Sequence, residues 1–159
     1  MLAPPAQSPA PPGGFDVVRI ESTDGRFNKR AYQRVGARWQ WTDRLVWTDQ
    51  QWADYAARPQ LHTWLARAAQ SPVGYFELEQ QTDGDVELAY FGLYEEAIGR
   101  GFGRAMLAEA IRQAWTLPGT NRLWVHTCSK DHPSALQNYR RRGFTLFKTE
   151  IEDEAAADE

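Results

Sequence analysis

Three glycines at alternate positions, Gly99-Arg100-Gly101-Phe102-Gly103-Arg104, carry the most chemistry in this chain of 159 residues. They follow a strand-like run, Val86-Glu87-Leu88-Ala89-Tyr90-Phe91-Gly92-Leu93, and precede an amphipathic helix that begins near Gly101. Glycine leaves backbone N–H groups unshielded by side chains. A helix N-terminus concentrates partial positive charge there, and two arginines flank it, which is the chemistry of a phosphate cradle. The helix dipole contributes only about 0.3–2 kcal/mol, so convergent N–H bonds must supply most of the grip. A glycine turn that merely starts a helix is the plainer alternative. The spacing Gly-x-Gly-x-Gly is not the dinucleotide fingerprint Gly-x-Gly-x-x-Gly, and no Gly-Lys-Ser/Thr follows to make a P-loop.

The loop resembles the acyl-CoA loop of the GNAT superfamily of N-acetyltransferases, written Gln/Arg-x-x-Gly-x-Gly/Ala. In that alignment the pattern runs from Ile98 through Gly101 to Gly103. Both glycines match, and Ile98 stands where the pattern has Gln or Arg. The resemblance covers roughly residues 16 to 150. Leu93 falls where the family has an apolar residue closing its fourth strand, and Glu95 where many members have proline. The run from Ala135 to Phe144 resembles the family's late helix, with its tyrosine at Tyr139 and its Gly-Phe at Gly143-Phe144. His132 stands where many members place an asparagine. The resemblance implies an α/β GNAT fold, a mixed twisted sheet with helices on both faces. It implies acetyl-CoA as cofactor, held by backbone groups near Phe91 and Leu93 and by Ile98, Gly99, Arg100, Gly101, Phe102, Gly103 and Arg104. It further implies that the fourth strand splays from the next, opening a wedge between Leu93 and Thr127-Cys128 where a strand N–H stabilises the oxyanion.

Acetyl transfer to an amine also needs a proton for the leaving thiolate and an unprotonated acceptor. A thiol has a pKa of about 8.5 and a tyrosine of about 10; the resemblance gives Tyr139 the role of hydrogen-bonding or protonating the thiolate. Tyr139 also shares a helical stripe with Leu136, as an ordinary core tyrosine would. Freeing a lysine-type amine of pKa about 10.4 at pH 7 costs about 4–5 kcal/mol, against about 1 kcal/mol for an α-amine. A base is therefore important for the first type alone. Glu87 lies where some family members place a catalytic glutamate; otherwise it is a solvated strand residue. Glu77 is a second, weaker candidate. A hairpin centred on Asp83-Gly84 sets Glu77 opposite Tyr90 and Glu87 opposite Gln80, with the two glutamates on opposite faces.

His126, Cys128 and His132 match no zinc spacing, so no metal is expected. A Cys128 nucleophile with His132 or His126 as base is a further arrangement, but the family transfers directly to the amine. His132 reads as a proton shuttle, a substrate contact or a plain loop histidine, and Asp131 as the N-cap of the last helix, with Pro133 following. In the family the first two helices and their loop shape the acceptor pocket. Here that segment holds Tyr32, Trp39, Trp41, Trp47 and Trp52. Such rings suit a flat or apolar acceptor, a cation held against a ring, or plain core.

The elements that must position these groups alternate in period. Residues 1–14 hold five prolines and two glycines and read as a disordered leader. Phe15–Ser22 reads as a strand and Arg26–Gly36 as a short helix. Thr48-Asp-Gln-Gln is a capping-box pattern opening a helix to about Arg58. Gln60–Ala69 alternates like a strand, and Pro72–Gln81 and Asp85–Leu93 are two more joined by Asp83-Gly84. The glycine-led helix runs to about Trp115 with an apolar stripe of Leu107, Ala110, Ile111 and Ala114. Arg122–Cys128 reads as a buried strand, and Phe144–Ile151 as the last. The domain spans 15–151, and 152–159 form an acidic tail.

A chain of this length makes one domain with a real core. One cysteine excludes an internal disulfide framework and suits a reducing compartment. No apolar run approaches the roughly 20 residues of a membrane span, and the N-terminus has no signal-peptide pattern, so a cytoplasmic location is expected. The net charge is −3, yet residues 150–159 hold six acidic groups and no basic one, leaving +3 on the rest. A mildly basic body suits a phosphorylated cofactor but not nucleic acid. The reading is an acetyl-CoA-dependent N-acetyltransferase acting on a primary amine of a small molecule. Protein N-termini or lysines are the second acceptor class. A non-catalytic acyl-CoA-binding module and an acidic-tailed partner-binding domain are the rivals of another kind. Family members often form homodimers, and no feature of the sequence decides that point.

Overall fold

The computed structural model describes residues 1–6, 10–21, 24–39, 41–128 and 131–150. Alternating apolar runs give five strands: β1 (Phe15–Ile20), β2 (Leu61–Ala68), β3 (Ser71–Gln80), β4 (Asp85–Leu93) and β5 (Arg122–Val125). They form one sheet in sequence order, with β1 to β4 antiparallel and β5 parallel to β4. The sheet is therefore mixed, as expected.

Strand alternation sends β3 side chains to two layers. Phe76 and Leu78 join Val86, Leu88 and Leu123 beneath α3 (Phe102–Thr116), whose Met106, Leu107, Ala110, Ile111 and Ala114 are buried. Tyr75 packs on the other face with Ala31 and Val35 of α1 (Arg26–Trp39). On that face Tyr32, Trp52, Tyr55 and Leu61 form a third cluster that includes α2 (Asp49–Ala56). Helices thus cover both faces. The capping box forms as read: Thr48 Oγ1 accepts from the Gln51 N–H at 3.2 Å, and the Gln51 side chain accepts from the Thr48 N–H at 2.8 Å.

The β3–β4 hairpin departs from the expected register. Gln80 pairs with Val86, Glu79 with Glu87 and Leu78 with Leu88, but Glu77 pairs with Tyr90, leaving Ala89 as a bulged residue. The connection is a 3₁₀ turn, Thr82–Gly84, with positive φ at Asp83 and Gly84, and it shifts the pairing near the turn by one position. The bulge restores the expected Glu77–Tyr90 pair beyond it. Glu87 consequently faces Glu79, not Gln80, and stands on the same face as Glu77, not the opposite one. A single inserted residue reverses every side chain on one side of it.

Three other expectations change at the C-terminal end. β5 stops at Val125, short of Cys128. Asp131 does not cap the last helix: α4 (Ala135–Arg141) begins after Ser134, and Asp131 Oδ2 instead accepts from Thr127 Oγ1 at 2.6 Å and the Cys128 N–H at 3.0 Å. Residues 144–150 form no strand. Phe144 is buried, but Leu146 and Phe147 are 50% and 64% exposed, so no alternating apolar face drives pairing, and Arg122 stacks on Phe147 at 4.5 Å instead. Met1 lies against β5, its backbone exchanging 2.9 Å hydrogen bonds with Leu123. Ser22 and residues 151–159, the acidic tail included, lie outside the described residues. Among the described residues no helix is long and apolar enough to cross a membrane.

Candidate active site

The glycine loop has the backbone its sequence requires. Gly99 and Gly101 sit at φ +82° and +83°, a left-handed conformation costly to other residues, and a Cβ on either would meet nothing within 4 Å. Gly101 is the N-cap of α3 and offers no side chain to its first turn, which carries no acidic residue. The first N–H groups of α3 are therefore left for an outside acceptor. Arg100 and Arg104 are exposed beside them, with Arg100 resting 4.9 Å over the Phe102 ring. Phe102 itself is buried and stacks on Phe15 at 6.2 Å, so only its backbone faces the loop. Ile98 is half-buried. This open cradle fits a pyrophosphate: the helix start carries no side-chain cap, no Cβ fills the loop, and cations flank it.

Ion pairs to α1 hold the loop's entry. Arg38 bonds Glu95 at 3.0 Å, Arg34 pairs with Glu96, and the Arg34 guanidinium lies 3.8 Å over Tyr94. Glu95, at the position where many members have proline, is thus tied down by charge instead of by a ring.

β4 pairs with β5 only over Asp85–Leu88, opposite Arg122–Val125, while its pairing with β3 continues to Leu93. The β5-facing edge of Ala89–Leu93 is therefore open, and the split begins at the bulge. This splayed edge divides the candidate residues into two groups. Phe91 and Leu93 belong to the α3 layer with Tyr139 and Phe144. The Tyr139 ring lies 6.3 Å from Phe91 and 5.7 Å from Phe144, and Leu93 is the nearest side chain to Gly103. Burial, helped by the charge of Asp131, holds the Tyr139 hydroxyl well above the usual tyrosine range, so it stays protonated.

Glu87 and Tyr90 lie on the α1–α2 side. Burial, then the neighbouring Glu79, raises the Glu87 carboxyl above the ordinary range, while a 3.0 Å hydrogen bond from Gln81 works against the shift. Glu79 is paired with Arg58 at 2.9 Å. Glu77 is 1% exposed and spent on structure: Oε1 accepts from Asn28 Nδ2 at 2.7 Å, and Oε2 accepts from the Tyr55 hydroxyl. It ties α1 and α2 to β3 and has no access to a substrate. His132 serves its own loop, accepting from the Ser134 N–H at 3.1 Å, with its ring 5.5 Å from Trp39.

Sequence reasoning missed Arg44. This arginine, from the α1–α2 connection, inserts among Trp47, Tyr55 and Tyr90, and its backbone N–H donates to the Tyr32 hydroxyl at 3.0 Å. The aromatic segment does hold a cation against its rings, and that cation belongs to the chain itself. The signal was an arginine between Trp41 and Trp47; only the approach of α2 and β4 reveals its partners.

The sequence matches the model of the acetyltransferase (GNAT) family over residues 26–144. No curated protein sequence matches it significantly. Similar solved structures include an aminoglycoside acetyltransferase from an uncultured soil metagenomic sample, in complex with trehalose. It is 14% identical with a TM-score of 0.68, over 90% of this chain and 96% of that one. The aminoglycoside acetyltransferase AAC(6')-Iy, in complex with a CoA-linked bisubstrate analogue, is 13% identical with a TM-score of 0.65, over 89% of this chain and 98% of that one. An acetyltransferase from Thermus thermophilus is 21% identical with a TM-score of 0.62, over 84% and 88%. At these identities the structures show a shared fold.

Proposed function

The chain belongs to the acetyltransferase (GNAT) family, and from that premise we propose that it is an acetyl-CoA-dependent N-acetyltransferase acting on a primary amine of a small molecule. One observation carries the reading: an uncapped, glycine-led helix N-terminus opens beside a strand edge that has lost its β5 partner. The neighbouring structures add support, since one aminoglycoside acetyltransferase was solved with CoA and another with sisomicin.

The backbone of Gly99–Arg104, with Arg100 and Arg104, would hold the pyrophosphate, and the open edge near Phe91 and Leu93 the pantetheine arm. Bound acetyl-CoA supplies the acyl group and a thiol leaving group. Tyr139 keeps its proton at neutral pH and donates it at the leaving atom. Glu87, on the other side of the edge, accepts the proton of the acceptor ammonium, directly or through a water. Its raised carboxyl makes it a better base than an ordinary glutamate. The acid and the base thus stand in the layers on opposite sides of β4.

Calorimetry of acetyl-CoA on the wild type and Gly101→Asp tests the reading. Micromolar binding that the aspartate abolishes is the expected result; no binding by the wild type would overturn it. Thiol release with a panel of small amines then measures turnover, and a peptide amine used in preference to all of them would move the acceptor to proteins.

A further inference from the structure

Arg44 is held as a cation that feels the charge of Glu77 behind Tyr55 but pairs directly with no carboxylate of the described residues. Its guanidinium carbon lies 4.1 Å from the Tyr55 ring centroid, 4.4 Å from those of Trp47 and Tyr90, and 5.7 Å from that of Trp52. The rings fix the group by its faces. A guanidinium also carries five N–H donors in its plane, a fork that matches a carboxylate. Among the described residues no carboxylate forms an ion pair with Arg44, although Arg34, Arg38 and Arg58 on the same side each have one. The Arg44 guanidinium interacts with the Tyr55 hydroxyl, whose proton already goes to Glu77. Glu77 cannot turn to meet Arg44 without giving up its bonds from Asn28 and Tyr55. Asp43, next in the chain, is exposed.

The position of this unpaired cation matters. Tyr90 lies on β4 just past the last β5 pair, and Arg44 packs against its ring on the face that carries Glu87. That face offers the Glu87 carboxyl beside the Arg58-paired Glu79, and further along the strand a guanidinium that no carboxylate of the described residues meets directly. The charges complement a molecule with an ammonium at one point and a carboxylate at another. We infer that Arg44 is the anion-recognition group of the acceptor site, and that the acceptor is an amine that also carries a carboxylate, its nitrogen toward Glu87 and its carboxylate on the Arg44 fork. This inference rests on the acetyltransferase reading. An arginine that merely pins the α1–α2 connection would leave acidic and neutral amines equal as acceptors.

Matched acceptors test it: 4-aminobutyrate against 4-aminobutyramide, and phenylalanine against phenylalaninamide, followed by thiol release. The wild type is expected to favour at least one acid over its amide by about 10- to 100-fold in kcat/KM, mainly through KM, the range of a charge-assisted contact. Arg44→Gln should erase the preference and Arg44→Lys should keep part of it, with melting temperatures showing that both fold. Calorimetry of the N-acetylated acids and amides in the presence of CoA provides a readout independent of turnover, with only the acids binding in an Arg44-dependent way. Equal use and equal binding of acid and amide by the wild type would overturn the inference even if neither variant folds, as would an acid preference that Arg44→Gln leaves intact. A protein that binds acetyl-CoA and acetylates neutral amines as well as acidic ones keeps the family reading and loses this one. A protein that binds no acetyl-CoA loses both.

Discussion

In the proposed mechanism two side chains divide the proton traffic, and each makes a prediction. Tyr139→Phe removes the donor but leaves the ring against Phe91 and Phe144. It should lower kcat by about 10²–10⁴-fold while acetyl-CoA affinity, read by calorimetry, stays near wild type. Glu87 must be ionised to accept a proton, so the rate should fall as pH drops through its raised pKa. The acid limb of kcat/KM should therefore lie above the ordinary glutamate value of about 4.3, and Glu87→Gln should abolish that limb with the activity. The type and position of Tyr139 and Glu87 were legible in the sequence. The burial that tunes them was not, because it comes from residues distant in the chain.

At the scale of elements, the site depends on how α1 and β4 meet. A Cβ on Gly92 would lie 2.3 Å from Val35 Cγ1, so the helix settles onto the strand only because that side chain is missing. Gly92→Ala should force α1 away and cost about 1–3 kcal/mol, read as a lower urea midpoint. Because α1 also clamps Glu95 and Glu96, the same variant should weaken acetyl-CoA binding. The Thr48 capping box, the β3–β4 hairpin and the start of α3 were each readable from a few adjacent residues. The bulge at Ala89 was not. Nothing in Leu88-Ala89-Tyr90 marks it locally; it reconciles the register set by the Thr82–Gly84 turn with the packing beyond.

Across the whole molecule, the Glu77 network ties both helices of one face to the sheet, and it carries a pH signature. Burial outweighs the hydrogen bonds from Tyr55 and Asn28 and raises the Glu77 carboxyl. A carboxyl raised by folding binds its proton more tightly in the folded state than in the unfolded chain. The stability it contributes is full below the unfolded value of about 4.3 and is lost as pH rises through the folded value. Glu77→Gln should therefore flatten the decline of the urea midpoint above that range, whereas Glu77→Ala, which orphans two buried donors, should cost about 2–4 kcal/mol. The acidic tail lies beyond residues 26–144, where the family model matches, so truncation after Glu150 should leave acetyl-CoA affinity and turnover near those of the full chain.

The α/β class, the order of the elements up to α3, the glycine loop that starts α3 and the family could all be read from the chain before it folded. Each of these is written in short-range signals: periodicity, caps, turn residues and a spaced glycine motif. Folding was needed to establish that Glu87 shares a face with Glu77 and Tyr90, that Glu77 is a buried strut, that residues 144–150 pair with no strand, and that Arg44 fills the aromatic cluster. Those outcomes depend on which surfaces meet. A one-residue change of register reverses a face, and a side chain's partners come from segments that no local pattern brings together.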